Sequence, residues 1–313
     1  MRRFLVKSSV VFFIMLIMMY LLDLIITNRL HHSEANMIKG MNECFFDSTN
    51  YEVVVMGSSR GLVQYDTRVF DSILGVNSYN ASVDGRGIIS QIIKYRVFEK
   101  RHGKPKLIIQ NIDCFVLGED NGFEREQYLP YFFDKELFGM IKEREGFSEA
   151  ERLVPLIRYA GYEQMIKEGL GIPNKMEKTE MYKGFKPSVS GIWDGKGLAH
   201  IEEIGFANHP QANSLFEEHL KECRNKGIII VFVYAPLYFE AQQKINKNSL
   251  QEMYRTFESF SELYDIPVLS WWNSPICVDT ANFYNATHLN ARGAKVFSEE
   301  LAHCLDSVGV LVN

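Results

Sequence analysis

The sequence predicts an α/β fold: a three-layer α/β/α sandwich around a mainly parallel, five-stranded sheet, with a helical insertion and an N-terminal transmembrane helix. Three observations carry this. Short β-branched runs end in glycine, asparagine or proline; amphipathic stretches of helical length separate them; and one long apolar run opens the chain. Strand and helix in alternation call for parallel strands joined by crossover helices.

The opening run comes first. "MRRFLVK" is basic, and "SSVVFFIMLIMMYLLDLIITN" (8–28) is apolar but for Asp23. About 20 such residues match a bilayer core. A cleaved signal would have a shorter apolar core and small residues at its cleavage site; leucine, methionine and isoleucine stand there instead. An uncleaved anchor is therefore expected, with residues 1–7 cytoplasmic by the positive-inside rule and the rest periplasmic or extracellular. Residues 29–50 are polar and mixed and read as a juxtamembrane connector. His31 and His32 within it read as interfacial residues, not as metal ligands.

The first strand is expected at 53–56, where "VVVM" is β-branched and continuous, as in a strand buried on both faces. The second is "VNSYNAS" (76–82), the third "KPKLIIQNID" (104–113), the fourth "NKGIIIVFVYAP" (225–236) and the fifth "IPVLSWW" (266–272). Apolar residues at helical spacing mark crossover helices over 87–101, in "NSLFEEHLKECRNK", over 250–265 and in "NARGAKVFSEELAHCLDS". Residues from about 115 to 207 break this rhythm with aromatic and charged helical pieces and a glycine- and lysine-rich stretch. They are expected to form one insertion, a helical cap with a loop over the sheet edge, within a domain spanning 51–313.

Composition excludes several classes. A net charge of -5 with scattered lysine and arginine gives no basic footprint for nucleic acid. The five cysteines form no CxxC or CxxH pair, so no structural zinc site is expected. No metal or diffusible cofactor is called for, and "DGRG" is no phosphate-binding loop of the G-x-x-x-x-G-K-[ST] type.

Ligands of an open parallel sheet bind beyond the carboxyl ends of its strands. Three features fall there: Gly57-Ser58-Ser59-Arg60 after the first strand, "NASVDGRG" after the second and His288 in a polar loop after the fifth. Each has a plain reading. Serines cap helices, "DGRG" makes a turn, and Arg60 serves equally as a helix-surface residue or as an anion partner. The Trp271–Trp272 pair reads as packing before it reads as a sugar platform. Asn285-Ala286-Thr287 and His209 need no special role.

Together the three features resemble the SGNH (GDSL-like) hydrolase family. "VVVMGSSRG" is similar to its first block, with Ser59 at the nucleophile position and Ser58 where an aspartate is usual. "NASVDGRG" is similar to the second, with Gly85 at the oxyanion-hole position, and "NATHLNARGA" to the last, with His288 as the base. The resemblance covers roughly 51–113 and 225–305. Its nearest architectural parallels are membrane-anchored extracytoplasmic members, the teichoic-acid D-alanine transfer protein and the alginate-type O-acetyltransferases. It implies a serine esterase or O-acyltransferase acting on an acyl ester or cell-surface glycan, with an integral membrane acyltransferase as one partner. The oxyanion would be held by the N–H groups of Ser59 and Gly85, and by Asn111 in "IIQNID", which stands early for the third block.

One departure bears on activity. Asn285 occupies the position of the family's acid. It can accept a hydrogen bond from His288 but carries no charge. Ser59 and His288 acting as a dyad, a carboxylate from Asp113 or Asp279 reaching the imidazole, and loss of activity all remain open on sequence. The competing expectation is a non-catalytic binding or assembly protein of envelope polysaccharide modification on the same fold.

Overall fold

The computed structural model describes residues 1–119, 125–178, 180–188, 191–196, 198, 203–307 and 309. Among them five strands form a parallel sheet in the order β2-β1-β3-β4-β5. They are β1 (Val53–Met56), β2 (Ser78–Asn80), β3 (Leu107–Asn111), β4 (Ile229–Tyr234) and β5 (Val268–Ser270). β1 matches its predicted run, and the other four lie inside theirs, trimmed at the ends. A small antiparallel hairpin of β6 (Phe283–Asn285) and β7 (His288–Leu289) follows.

The helices, in chain order, are α1 (Arg2–Leu30), α2 (Asn36–Phe46), α3 (Ser59–Gln64), α4 (Thr67–Leu74), α5 (Ile88–His102), α6 (Lys135–Glu145), α7 (Glu149–Leu153), α8 (Glu163–Leu170), α9 (Pro210–Asn225), α10 (Phe239–Gln242), α11 (Lys247–Tyr264) and α12 (Ala291–Ser307).

The chain divides into two compact units, Met1–Glu43 with Glu124–Thr179, and Cys44–Phe123 with Glu180–Asn313. The stretch expected as one insertion is thus shared between them. The reason lies in its two halves. Residues 125–178 pack on the N-terminal helix, while Lys183 O accepts a 2.9 Å hydrogen bond from Asn80 N at the β2 edge of the sheet. Residues 120–124, 179, 189–190, 197 and 199–202 of that stretch lie outside the described ones.

In the first unit, α1 is exposed and apolar over most of its length, and it is long and apolar enough to cross a membrane. Its last turns are not a free span. Asp23, Ile26, Thr27 and Leu30 are buried. Asp23, the one polar break, is ion-paired with Arg158 and accepts a 2.7 Å hydrogen bond from Leu156 N. Thr27 Oγ1 lies 2.8 Å from the Tyr159 hydroxyl. Gly169 of α8 permits the close crossing here, since a Cβ would meet Ile26 Cγ2 at 2.6 Å. His31 stacks on Tyr131 at 5.3 Å and its Nε2 lies 2.8 Å from Pro130 O.

In the second unit, all four residues of β1 and all five of β3 are buried, as expected of central parallel strands covered on both faces. Phe216 from α9 and Phe257 from α11 meet Phe232 of β4 at 5.8 and 5.7 Å. Trp272 packs edge-on to Tyr234 at 5.6 Å, and Trp271 edge-on to Phe297 at 5.4 Å. The tryptophan pair therefore packs, as its plain reading had it. The strand order reverses at β1, with β2 and β3 on its two sides, so the crevice beyond the carboxyl ends of β1 and β3 is where a ligand site is expected.

Candidate active site

Ser59 is the first residue of α3, directly beyond β1. Two glycines make the strand–turn–helix tight enough. A Cβ on Gly57 would stand 2.9 Å from Gly61 Cα, and a Cβ on Gly61 would overlap Ser82 Oγ and lie 3.0 Å from Ser82 Cβ. Gly61 thus lets the loop after β2 lie against the helix that carries the serine.

Ser58 is tied down. Its hydroxyl donates to Asp113 Oδ2 at 2.9 Å, and Asp113 Oδ1 accepts from Phe115 N at 2.9 Å. Asn111 is fully buried; its Oδ1 accepts from Tyr65 at 2.9 Å and its Nδ2 donates to Asp113 at 3.2 Å. Both ends of its amide are engaged beneath the site.

His288 is brought to Ser59 by the β6–β7 hairpin. It lies on a strand rather than in an open loop, because the Asn285 side chain closes the turn. Asn285 Oδ1 accepts from the backbone N–H groups of Thr287 and His288, each at 2.9 Å. This is the Asx-turn chemistry that makes asparagine a turn residue. Asn290 braces the other side, donating to Ala281 O at 2.8 Å and accepting from Gly293 N at 3.0 Å at the start of α12.

The imidazole Nε2 lies 2.8 Å from Ser59 Oγ, across 229 residues of sequence. Its Nδ1 lies 3.1 Å from Asn285 Oδ1 and 2.9 Å from Thr287 Oγ1, and the Thr287 hydroxyl is 3.1 Å from Asn285 Oδ1. Two backbone N–H groups, which can only donate, fix which end of the Asn285 amide is oxygen. An oxygen facing Nδ1 favours the proton on Nδ1, which leaves the Nε2 lone pair for the serine hydroxyl. Neither Asp113 nor Asp279 takes this place. Asp113 holds Ser58 and Asn111, while Asp279 accepts from Ala281 N at 2.9 Å and lies 3.6 Å from Arg292.

Burial, and then the nearby Arg60 charge, push the His288 pKa down to about 4. The ring is therefore neutral at pH 7. Tyr284 stacks on it at 5.4 Å. Burial of Tyr284, with the Asp84 carboxylate nearby, pushes that phenol up to about 12. Gly85 takes a left-handed φ of 61°.

Arg60 is not a surface residue. It is 7% exposed, and its Nη2 donates to the carbonyls of Ala235 at 2.7 Å and Pro236 at 3.0 Å, just past the end of β4. It was legible as a charge next to the serine but not as a buried one. Thr287, set aside on sequence, contributes a hydroxyl to the imidazole. Only its place inside an Asx turn reveals that.

A cavity of about 110 Å³ opens on Ser59 and His288, and is lined also by Arg60, Cys114, Leu237 and Trp272. Its other nucleophile, the Cys114 thiol, is pushed up to about 12 by burial and then by Asp113. A wider cleft of about 490 Å³ shares Trp272 with it.

No protein-family model matches the chain, and no curated protein matches it. Several solved structures are similar to it, two of them as follows. One is a candidate acylhydrolase from Bacteroides fragilis NCTC 9343, 10% identical, with a TM-score of 0.40 over 84% of this chain and 88% of that one. The other is a GDSL-like lipase from Bacteroides thetaiotaomicron VPI-5482, 9% identical, with a TM-score of 0.39 over 83% of this chain and 89% of that one. Likeness this distant assigns no activity, which has to be argued from the site itself.

Proposed function

We propose that this chain is a membrane-anchored, extracytoplasmic serine esterase or O-acyltransferase of the SGNH type. The observation that carries the reading is the Ser59 Oγ to His288 Nε2 distance of 2.8 Å, with the base-competent tautomer of the ring favoured by Asn285.

Ser59 Oγ attacks the acyl carbon and passes its proton to His288 Nε2. The ester carbonyl becomes an oxyanion, held by the backbone N–H groups of Ser59 and Gly85. Ser59 N lies in the first turn of α3, where N–H groups have no intrahelical acceptor. Asn111 supports this corner through Asp113 and leaves the oxyanion to the backbone. Collapse breaks the bond to the leaving alkoxide, which takes the proton from Nε2. An acceptor hydroxyl then gives its proton to Nε2, attacks the acyl-serine, and the proton returns to Ser59 Oγ.

Asn285 favours the tautomer but adds no charge to the imidazolium that forms. The site should therefore run slowly with simple esters. The acceptor is read as a sugar hydroxyl. The 490 Å³ cleft sharing Trp272 with the catalytic cavity is lined by Phe239, Tyr254, Trp272, Gln242, Gln243 and Asn273, among others, and by no charged side chain. Aromatic faces with amide groups and no ions suit a neutral polyol, as in an envelope glycan.

The test is p-nitrophenyl acetate hydrolysis by the full-length chain in a sugar-free detergent, with and without neutral oligosaccharide. Ser59→Ala and His288→Ala should each fall to background, and acyl-sugar should form beside acetate in the parent. Equal rates in parent and Ser59→Ala would overturn the esterase reading in favour of a non-catalytic binding or assembly protein.

A further inference from the structure

We propose that residues 153–157 form a second membrane contact, an apolar lip seated in the acyl–headgroup boundary of the leaflet from which α1 emerges. The proposal rests on α1 being a transmembrane span. It concerns the first unit alone.

The depth follows from α1. Its outward-facing side chains are apolar from Val10 to Ile25, between exposed Lys7, Ser8 and Ser9 at one end and Asn28 at the other. At 1.5 Å per residue that run is about 24 Å long, most of the hydrocarbon thickness of a bilayer. Asp23 stands two residues inside its outward end, toward the outer boundary of the hydrocarbon. The lip is fixed to α1 at that level. Leu156 N donates to Asp23 Oδ2 at 2.7 Å, Arg158 pairs with Asp23, and Tyr159 meets Thr27 at 2.8 Å. All three partners sit within two turns of the helix, so the lip cannot ride far up or down it.

What the lip exposes is apolar. Leu153 is 71% exposed, Ile157 41% and Val154 37%. On α1 at the same level, Leu22, Leu24 and Ile25 are exposed too. The lip and these residues stand at one level of α1, the lip being bonded there to Asp23. Arg152 and Arg158 flank the lip in sequence. Arg158 is held by Asp23 and Arg152 lies 3.6 Å from Glu149, so neither brings an unpaired cation into the hydrocarbon. Asp23 is neutralised by Arg158, so no unpaired carboxylate faces the hydrocarbon. Attachment to the span at this level selects lipid over a protein partner as the occupant.

The test uses the full chain in phosphatidylcholine–phosphatidylglycerol nanodiscs with an environment-sensitive fluorophore at one cysteine. Cys304→Ser removes the one half-exposed native thiol; Cys44, Cys114, Cys223 and Cys277 are buried. Probes go on Leu153→Cys, on Leu16→Cys within the span and on Lys221→Cys on the far-exposed face of α9. Nitroxides on the lipid chain near the headgroup and aqueous iodide serve as quenchers. The Leu153 probe should be quenched by the lipid nitroxide and protected from iodide, whereas the Lys221 probe shows the reverse. A Leu153 probe quenched by iodide, with the Leu16 probe quenched only by lipid, would overturn the lip and leave the span. Iodide quenching at Leu16 would overturn the span and the lip with it. Protection of Leu153 from both quenchers would overturn the lip in favour of a covering protein.

Discussion

Replacing Asn285 by aspartate separates what the residue does for geometry from what it fails to do for charge. The geometry should survive. Asn285 Oδ1 already accepts from Thr287 N and His288 N and faces Thr287 Oγ1 and His288 Nδ1 at 3.1 Å each, and the two oxygens of a carboxylate can serve the same partners. The charge is new. The present separation from Nδ1 is 3.1 Å. A carboxylate and an imidazolium about 4 Å apart between charge centres interact by about 4 kcal/mol at an effective dielectric of about 20. That is worth about 3 pKa units. His288 should move from about 4 to near 7, as burial and Arg60 are now opposed by an anion. The acid limb of kcat/KM for p-nitrophenyl acetate should shift upward by the same amount. The plateau should rise by about 10²–10³, since the imidazolium of the transition state gains the same attraction and the opposite change in a serine protease costs about 10⁴. A folded Asn285→Asp protein with both plateau and acid limb unmoved would refute the assignment of Asn285 to the acid position.

Arg60→Met should raise the His288 pKa and move the acid limb up, whereas Arg60→Lys, which keeps the charge, should leave the limb near its original place; the pH–rate profile decides. Gly61→Ala should destabilise by about 1–3 kcal/mol through overpacking against Ser82, outweighing its helix-propensity gain of about 1 kcal/mol, with partial recovery in the Ser82→Gly double variant by chemical denaturation. Asp23→Leu should leave Arg158 buried without its carboxylate, at a cost of about 3–5 kcal/mol, read as faster hydrogen exchange over 125–178. His288 and His219 are both neutralised by burial, with pKa values pushed to about 4 and about 3. The unfolded chain binds more protons than the folded one below 6.5, so their contribution is complete above 6.5. It is lost as pH falls toward those values, by about 1.4 kcal/mol per pH unit per histidine. His219→Gln should halve that slope between pH 6 and 4.5.

Local pattern and long-range geometry divide what the sequence makes legible. The strands are local. "VVVM" and "IIIVFVY" are β-branched and aromatic runs that suit only a pleat covered on both faces, and β1 and β4 stand where those runs predict. Ser59 and His288 are legible because each sits in a block with its own turn chemistry, a glycine before the serine and an asparagine before the histidine. What escapes is whatever depends on a partner far along the chain. Arg60 is buried because the carbonyls of Ala235 and Pro236, some 175 residues on, receive it. Asp23 interrupts an apolar run because Arg158 and Leu156, more than 130 residues on, satisfy it. Read from the run alone, that aspartate is a flaw in an apolar helix; read with its partners, it marks where the exposed apolar stretch enters the folded unit.

The asparagine in the acid position shows the same division at the scale of one turn. Its loss of charge is legible in the sequence, and in isolation it argues against catalysis. Its compensation is not legible, because it depends on which end of the amide faces the ring. The backbone N–H groups of Thr287 and His288 fix that end as oxygen. An asparagine free to rotate could offer its NH₂ to Nδ1, force the proton onto Nε2 and disable the base. Here the turn that asparagine was suited to make is the same device that favours an Nε2 open to Ser59. Under the proposed function, an asparagine here lacks the electrostatic part of an acid's role and retains the part that decides whether the histidine can accept a proton at all.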